Sequence, residues 1–536
     1  MLSPTILFTL KPLTHYLMER YAVLIRTLLL WWLRGLLIYT VTLMNGYASP
    51  DTVKPVGCKA YVQEQARLLA TKPYQVPAAI DETAVRKLDY DGYRHLRFRP
   101  EKTVWRQEQL PFQLEPLPPG LSFRRPVSLY TWEQGEAKVL PFQTDYFESA
   151  ELLAGVDKTE LGFTGFRILY PLKKDEFHSE FFVFQGASYF RSRSIDQVYG
   201  LSVRGLGINT DLEGQEEFPD YRAFWIEKPT INASTLTLCA LLDSPSVTGM
   251  SEFIIKPGHE TTADVDTVLY WRNAPLNVAV SPLTSMYFHG ENSKHPMGDY
   301  RPEVHDSDGL LIDGNMGLEW HPLYQPAHFT AHSIASRHLR GFGLLQRDRN
   351  FDHYQDLEAH YQERTNVWVT PLNDWGAGAV RLVHFPTQSD VLDNVVAYWQ
   401  PEQPQTHWQY RLTWLQQDPP QHQLGKVHAT RIATKNVDSL PNQEGVLRFF
   451  IDFKDILPTT EPIEIEIGQS DNLLIQSSQL LKNPYLKHGQ RLVIVTKPIP
   501  ERCQEPMVVF ARLKAGAQPL SEMWVYPISS EYCQRN

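Results

Sequence analysis

Short stretches rich in β-branched and aromatic residues, many of them alternating apolar with polar positions, dominate the chain beyond residue 71. They include "SEFFVFQGASYFRSRS" (179–194), "DTVLYWRNAPLNVAV" (266–280), "VLRFFIDFK" (446–454) and "QRLVIVTK" (490–497), separated by Gly, Pro, Asn or Asp. This pattern is typical of half-buried strands. The stretch "AYVQEQARLLAT" (60–71) has the best helical spacing after the first 48 residues, with Val62, Ala66 and Leu69 at helical positions. We therefore predict an all-β, sandwich-like fold, because βαβ units and a glycine-rich nucleotide loop are both missing from the sequence.

A break in the strand pattern divides the predicted fold in two. Residues 417–426 are rich in Pro, Gln and Gly, which indicates a linker. The following piece, 427–536, has five or six strand signals and fits an immunoglobulin-like sandwich. The preceding piece, 49–416, has room for a larger double-sheet sandwich, whose concave face would suit an extended polymer such as a polysaccharide.

The first 48 residues differ from the rest. Val23–Met44 is apolar apart from two arginines and a few Thr and Tyr residues, and Gly46 and Ala48 stand at the −3 and −1 positions before Ser49. This layout predicts a secretory signal peptide over residues 1–48, with Met18 as an alternative start. The alternative is an uncleaved membrane anchor, which Arg34 disfavours because it interrupts the apolar run.

Charge excludes one class of partner. Without residues 1–48 the chain has 47 basic and 60 acidic residues, a net charge of −13. Nucleic acid is therefore not an expected partner, because its binding depends on Lys and Arg at phosphates.

Four cysteines are too few for a disulfide scaffold in a chain of 536 residues. Cys503 and Cys533 are close enough in sequence to pair in an oxidising compartment. The spacing of Cys58 and Cys239 decides nothing, and Cys239 in "TLTLCALL" is interpreted as a small core residue.

The most charged motif is "DYRPEVHDSDGLLI" (299–312). Counted as a calcium loop from Asp306, it has Leu310 at position 5 and Gly317 at position 12, so the required late carboxylate is missing. The downstream histidines lack the spacing and the intervening Glu of a zinc site. We predict no metal and no cofactor.

Acid/base cleavage of a glycosidic bond is the alternative use of such a motif. It needs two carboxyl groups on either side of the scissile bond, usually from different strands or loops. Asp306 or Asp308 would be one, and the candidates for the other are Asp356, Asp374, Asp390 and Asp393. Asp393 opens an apolar strand, where partial burial would raise its pKa as a general acid requires, although an Asp-Asn pair can equally just end a loop.

Four tryptophans stand among charged residues and are candidates for stacking on sugar rings, with core packing as the alternative for each. They are Trp225, Trp320, Trp375 and Trp399.

Several long motifs resemble the osmoregulated periplasmic glucan biosynthesis proteins OpgG and OpgD, also called MdoG and MdoD. They include "YDGYRHLRFRP" (90–100), "GASYFRSRSIDQVYGLSVRGLGINT" (186–210), "DYRPEVHDSDGL" (299–310), "GFGLLQRDRNFDHYQDLEAHY" (341–361) and "DNVVAYWQP" (393–401). The resemblance runs from about residue 55 to the end and leans towards the D type. It implies a periplasmic protein with a galactose-mutarotase-like sandwich followed by an immunoglobulin-like one.

The resemblance also assigns roles. It implies an inverting endo-β-1,2-glucanase with Asp393 as general acid and Asp306 as general base, acting through waters and a substrate hydroxyl. Tyr361 would relay the proton or orient that hydroxyl. The residues expected to bind substrate or support this pair are Trp320, Arg301, Glu303, His305, Asp308 and Asp390.

Three functions follow as hypotheses. The first is hydrolysis that trims or remodels β-1,2-glucan. The second is a non-catalytic glucan-binding scaffold that assists export or branching, with an inner-membrane glucan synthase as partner. The third is a mutarotase or lyase, which would need a site based on His or Tyr.

Overall fold

The computed structural model describes residues 57–80, 90–120, 123–149, 162–173, 177–186, 188–212, 214–419, 422–434, 445–503, 505–529 and 532. The predicted signal peptide, 1–48, lies outside these residues.

Strands are the main secondary structure of the described chain, with two α-helices before them: α1, Cys58–Ala70, and α2, Tyr90–His95. The first strands are β1 Gln113–Leu117, β2 Ser128–Glu133, β3 Glu136–Val139, β4 Gly165–Tyr170, β5 Ser179–Gln185, β6 Tyr189–Ser192, β7 Ser202–Arg204, β8 Leu206–Ile208, β9 Asp220–Glu227, β10 Leu236–Asp243, β11 Val247–Lys256, β12 Thr261–Trp271, β13 Val278–Ser285, β14 Tyr287–His289 and β15 Val304–His305. The others are β16 Gly309–Gly314, β17 Gly317–Pro322, β18 Thr330–Ser336, β19 Gly341–Leu345, β20 Asn366–Pro371, β21 Gly378–His384, β22 Val395–Pro401, β23 His407–Leu415, β24 Lys426–Ala433, β25 Leu447–Lys454, β26 Glu464–Gln469, β27 Leu473–Asn483, β28 Gly489–Pro498, β29 Met507–Ala515, β30 Gln518–Pro519 and β31 Met523–Ile528. The all-β prediction is confirmed.

Two large sheets face each other across the main core. One has ten strands in the order β1-β4-β5-β6-β7-β13-β22-β21-β18, with β8 also on β13; the other has fifteen and includes β16-β19-β20-β23-β12-β11-β10-β9-β2-β3. Strand β12 shows why they pack, because every second side chain is buried from Thr261 to Leu269. Rings from the two sheets meet, as in Phe182 against Trp414 at 5.4 Å and Phe184 against Phe253 at 5.3 Å. The result is a sandwich with an aromatic core.

A second core joins the C-terminal strands to the first sandwich. Strands β24-β25-β28-β27 form a separate sheet, whereas β26, β29 and β31 continue the fifteen-stranded sheet through a parallel pairing of β31 with β17. Leu311 and Trp320 share this core with Phe449 and Trp524. The boundary predicted at 417–426 stays a prediction, but sheet pairing and core both cross it.

Helix α1 packs on the outer face of the fifteen-stranded sheet and confirms the predicted helix. Cys58, Val62 and Ala66 are its buried residues, spaced four apart. Cys58 forms a disulfide with Cys239 of β10, 181 residues away, and Lys59 forms ion pairs with Glu252 and Asp266. The interpretation of Cys239 as a simple core residue is therefore incomplete, since it is both buried and cross-linked. Cys503 is also disulfide-bonded, but its predicted partner, Cys533, lies outside the described residues.

Replacing both Cys58 and Cys239 with Ser should lower the free energy of unfolding by about 2–5 kcal/mol, because a cross-link over so long a loop restricts the unfolded chain. Thermal unfolding measures the change. Reduction with dithiothreitol should then shift the double variant less than the wild type. Equal unfolding temperatures for wild type and variant would contradict a stabilising role.

Candidate functional site

One short backbone segment, 285–287, holds both predicted catalytic strands in place. Strand β15 pairs with β14, and the amide of Asp306 donates to the carbonyl of Met286 at 2.8 Å. On the other side the amide of Asn394 donates to the carbonyl of Ser285 at 3.0 Å, and its side chain accepts from the amide of Tyr287 at 2.8 Å. Asp306 and Asp393, 87 residues apart in sequence, are thus fixed against neighbouring residues.

Asp306 is a buried carboxylate without a strong partner. Its residue is 7% exposed, and Oδ1 has no hydrogen-bond partner among the described residues. The nearest cation is Arg364, whose Nε lies 3.5 Å from Oδ1. Burial, and then the charge of Asp393, raise the pKa of Asp306, while the charges of Arg364, Arg191 and His305 oppose the rise. Such a carboxyl is poised to exchange a proton.

Asp393 is more open. Its side chain keeps 29% exposure, and Oδ2 accepts a hydrogen bond from the hydroxyl of Tyr189 at 2.7 Å. Arg191 Nη2 lies 3.9 Å from the same oxygen and donates to Tyr189 at 3.2 Å. Asp393 therefore faces solvent with a defined orientation.

Beside Asp393 a cavity of about 210 Å³ opens on the ten-stranded sheet, on the face away from the main core. Its walls include Arg204, Phe218 and Phe385. The guanidinium of Arg204 lies 4.5 Å from the ring of Phe218, and Phe385 is 38% exposed. An exposed aromatic ring beside an arginine fork and a carboxylate can bind a ligand with both CH faces and hydroxyls.

Tyr361 is buried near the pair and is directed by local backbone geometry. His360 before it has φ 48°, a left-handed conformation that side chains other than Gly rarely adopt, and it begins the single turn Tyr361–Glu363. The Tyr361 hydroxyl donates to Asp390 Oδ2 at 3.3 Å. Burial and the charges of Asp390 and Asp306 raise the pKa of Tyr361, so its hydroxyl keeps its proton at neutral pH.

Arg301 gathers three carboxylates at this edge of the site. It donates to Asp390 at 2.8 Å, to Asp356 at 3.1 Å and to Asp299 at 2.8 and 3.0 Å. Asp390 and Asp356 are therefore tied to a cation rather than free to transfer a proton. Arg301 instead orients Asp390 towards Tyr361.

His305, which precedes Asp306 in the chain, is fully buried. Its ring nitrogens lie 2.9 Å from Gln346 Oε1 and 2.9 Å from Glu303 Oε2, and its ring stacks on Tyr287 at 5.1 Å. Burial alone would lower the pKa of His305, but the hydrogen bond to Glu303 and the charge of Asp308 raise it to about 9. His305 is a buried cation next to Asp306 in sequence.

Glu291, a residue that the sequence did not single out, is a further carboxyl group in this layer. Its Oε1 accepts from the amide of Thr430 at 3.0 Å, so it also contacts strand β24. Burial and the charges of Glu303 and Asp308 raise the pKa of Glu291 to about 8.

Two groups of side chains have potential ligand atoms within 4.8 Å of one another. They are Glu303 with Asp348 and His353, and Glu303 with His305 and Asp308. The pairs Glu303–His305 and Asp348–His353 already satisfy one another. The expectation of no metal stays a prediction.

The predicted tryptophan platform is not open. Trp320 is 3% exposed, and the guanidinium of Arg347 covers its ring at 3.6 Å. Trp375 and Trp399 are buried in the main core, and Trp225 lines a separate cavity of about 1080 Å³ beside α1. Trp320, Trp375 and Trp399 are thus packed in cores, whereas Trp225 is 5% exposed and also borders that cavity. Asp374 is exposed and caps its own turn by accepting from the amide of Gly376.

Other members of the site were missed because their roles depend on neighbours far away in sequence. Tyr189 and Arg191 lie in a motif that indicated a strand and the family resemblance but no role for either residue, and Arg364 follows Tyr361 without any local signal. Phe385 follows β21 and looks like an ordinary strand end. A carboxylate stands out in a sequence, whereas the groups that hold it do not.

These features define an all-β sandwich protein with a carboxylate site at the mouth of a sheet-face groove. A family described as "Periplasmic glucan biosynthesis protein, MdoG" matches residues 59–528. The chain belongs to this family.

Curated relatives agree. The chain is 38% identical over 473 residues to "Glucans biosynthesis protein G" of Rhodopseudomonas palustris, covering 87% of this chain and 92% of the relative. It is 36% identical over 469 residues to the protein of that name from Shewanella baltica, covering 86% and 85%. The lean towards the D type stays a prediction, as does export by a signal peptide. Among the residues that the structure describes, none of the helices is both apolar and long enough to span a bilayer.

The free energy of unfolding should fall as the pH rises from about 5 to 9. The Glu291 carboxyl ordinarily titrates at 4.5 but at about 8 in the fold, so above pH 4.5 the folded chain binds a proton that the unfolded chain has lost. His305 contributes in the same direction, because stabilisation by its bound proton is lost as the pH rises through about 9. Glu291→Gln should reduce the fall by about 1–3 kcal/mol.

Urea unfolding at several pH values measures this change. Glu358→Gln, at an exposed position, is the control and should follow the wild type. A Glu291→Gln variant with the wild-type pH dependence would contradict the assignment.

Proposed function

We propose that the chain is an inverting endo-β-1,2-glucanase that trims or remodels the glucan backbone in the periplasm. The observation that carries the proposal is the pair Asp306 and Asp393, one buried and one open. Residues 285–287 hold Asp306 directly and Asp393 through the adjoining Asn394, and Asp393 lines the aromatic groove. A pair of carboxyl groups in different environments is what hydrolysis of a glycosidic bond requires.

Asp393 acts as the general acid. Its carboxyl faces the groove, where its proton would pass to the glycosidic oxygen as the bond breaks. The Tyr189 hydroxyl, 2.7 Å from Oδ2, leaves the other oxygen, Oδ1, available for this transfer. Arg191, 3.9 Å away, stabilises the carboxylate that results.

Asp306 acts as the general base. Its Oδ1, which lacks a hydrogen-bond partner among the described residues, would accept the proton of the attacking water through intervening waters and a substrate hydroxyl. Arg364 and Arg191 favour its charged form, which a base needs before it can accept a proton. Tyr361, protonated and tied to Asp390, orients the hydroxyl at the end of this relay.

The raised pKa of Asp306 also supports a second mechanism with the roles exchanged. A buried carboxyl that keeps its proton is the usual environment of a general acid. The two mechanisms differ in pH dependence: a base must lose its proton, so activity would rise as the pH passes the pKa of Asp306, whereas with an acid it would fall.

The groove supplies the substrate contacts. Phe385 and Phe218 present rings to the CH faces of glucose units, and Arg204 donates to hydroxyls. The groove walls are side chains and its mouth is open beside Asp393, which suits cleavage within a chain. Trp320 is not part of this proposal, because its ring is covered.

A non-catalytic scaffold is the second candidate. What favours it is the name of the relatives, "Glucans biosynthesis protein G", which refers to synthesis and not to hydrolysis. A scaffold would use the groove without needing the acid pair.

Purified chain incubated with linear β-1,2-glucan should shorten it and release products with the anomeric configuration opposite to that of the cleaved bond. Asp393→Asn and Asp306→Asn should each lower kcat by at least about 100-fold, because each removes one proton transfer. Mass spectrometry follows chain length, and NMR follows the anomer. Asp374→Asn is the control. Binding without shortening by the wild type would support the scaffold instead.

An aryl glycoside with a good leaving group assigns the two roles. Such a substrate needs no protonation, so the variant of the general acid should recover activity on it. The variant of the general base should not recover on this substrate, but azide should restore its turnover.

Phe385→Ala should raise KM for the glucan about fivefold with little change in kcat, since an aromatic contact contributes about 1 kcal/mol. Phe329→Ala is a matched control, because its ring lies 5.3 Å from that of Phe385 but does not line the cavity. Equal effects of the two changes would argue against stacking in the groove.

A further inference from the structure

The C-terminal strands contribute a buried ion pair to the same region. Arg347, with a side chain only 4% exposed, donates from Nη1 and Nη2 to the two carboxylate oxygens of Glu522 at 2.6 and 3.0 Å. Glu522 is completely buried and lies just before β31. It also accepts from the amide of Val427 at 2.7 Å and bonds to His422. The Glu522 carboxylate therefore connects His422, the start of β24 and the start of β31 to Arg347.

Charge compensation holds Glu522 ionised. Burial alone would raise its pKa, but the charges of Arg347 and His422 lower it to about 2. Asp418 lies 3.2 Å from Arg347 and 3.1 Å from Lys426. Arg347 itself is pressed on the ring of Trp320 at 3.6 Å. Removing one member leaves a buried charge without its partner, which is costly.

The backbone of the same arginine is attached to the candidate site. The amides of Arg347 and Asp348 both donate to Asp308 Oδ2, the latter at 2.7 Å. The preceding residue, Gln346, accepts a hydrogen bond from His305 Nδ1 through Oε1 at 2.9 Å and donates to the His305 carbonyl through Nε2 at 2.9 Å. Residues 346–348 thus connect the Arg347 guanidinium, which binds Glu522, with His305 and Asp308, which bind Gln346 and the backbone amides.

We propose that Glu522 is a positioning residue for the carboxylate site. By fixing Arg347 it fixes residues 346–348, and through Asp308 and His305 it fixes the strand end that bears Asp306. The kinetic test of this proposal rests on the proposed hydrolysis, whereas its test by hydrogen exchange does not.

Glu522 should affect kcat more than KM. The groove residues Arg204, Phe218 and Phe385 belong to or adjoin the ten-stranded sheet, whereas Arg347 follows β19 of the fifteen-stranded sheet. Loss of the ion pair therefore leaves the groove intact while it displaces Asp306. A small displacement of a catalytic group is enough to slow a reaction strongly.

The test compares Glu522→Gln with a matched control, Asp452→Asn. Asp452 is 2% exposed and accepts from Arg491 at 2.8 and 2.7 Å in the C-terminal sheet, and its hydrogen bonds go to Arg431, Asn483 and Arg491 rather than to residues 346–348. We expect Glu522→Gln to lower kcat at least about tenfold with KM within about twofold. Asp452→Asn should lose stability to a similar extent and keep its kcat. Equal kcat values for the two variants would overturn the proposal.

A second variant guards against simple unfolding. Arg347→Met with Glu522→Leu replaces the pair with apolar groups of similar size, an exchange that proteins often tolerate, and Asp418 keeps its ion pair with Lys426 at 3.1 Å. A folded double variant with reduced kcat supports positioning, and one with wild-type kcat overturns it.

Hydrogen exchange gives a readout that does not depend on activity. The amides of Arg347 and Asp348 should exchange at least about tenfold faster in Glu522→Gln than in Asp452→Asn, because Asp308 no longer holds them in place. Unchanged exchange overturns the proposal. The wild type could fail to cleave glucan while Glu522→Gln still shows faster amide exchange than Asp452→Asn. That result would refute the proposed hydrolysis and leave the positioning role of Glu522 supported.

Discussion

The candidate site depends on how the backbone of residues 285–287 divides its hydrogen bonds. The Ser285 carbonyl accepts from the backbone amide of Asn394, and the Met286 carbonyl accepts from that of Asp306. The backbone of Tyr287 makes two further hydrogen bonds with the side-chain amide of Asn394. Every backbone group buried here needs a partner, so satisfying this one segment also fixes the ends of two distant strands. The positions of the Asp306 and Asp393 carboxylates are set by these hydrogen bonds.

Placing carboxylates in such an enclosed layer requires cations to be placed with them. Arg301 holds three aspartates at the edge, His305 is charged beneath Asp306, and Arg347 joins Glu522 on the C-terminal side. Two of these cations are also held by packing, His305 on Tyr287 and Arg347 on Trp320. The ring of Trp320 thus packs against the guanidinium of Arg347 and holds that cation in place, and it is not open to a sugar ring.

The fold unites regions that look independent along the chain. Residues 417–426 read as a linker by composition, yet Asp418 and His422 within it bind Arg347 and Glu522. Strand β31 pairs with β17, so a sheet that begins beside α1 ends in the C-terminal strands. Contacts of this kind make the C-terminal region part of the site's support.

Strand content, helix α1 and the candidate carboxylates can be predicted from the residues alone, because alternation, helical spacing and clustered charge are local properties. The all-β prediction and the family were both accessible from motifs that stay within a few tens of residues. The folded chain is needed to see which tryptophans are covered, that Cys58 pairs with Cys239, and which groups surround Asp306. Tyr189, Arg191, Arg364, Glu291 and Glu522 carry no local sign of their roles. Burial and electrostatic pairing act through space, between residues that only the folded chain brings together.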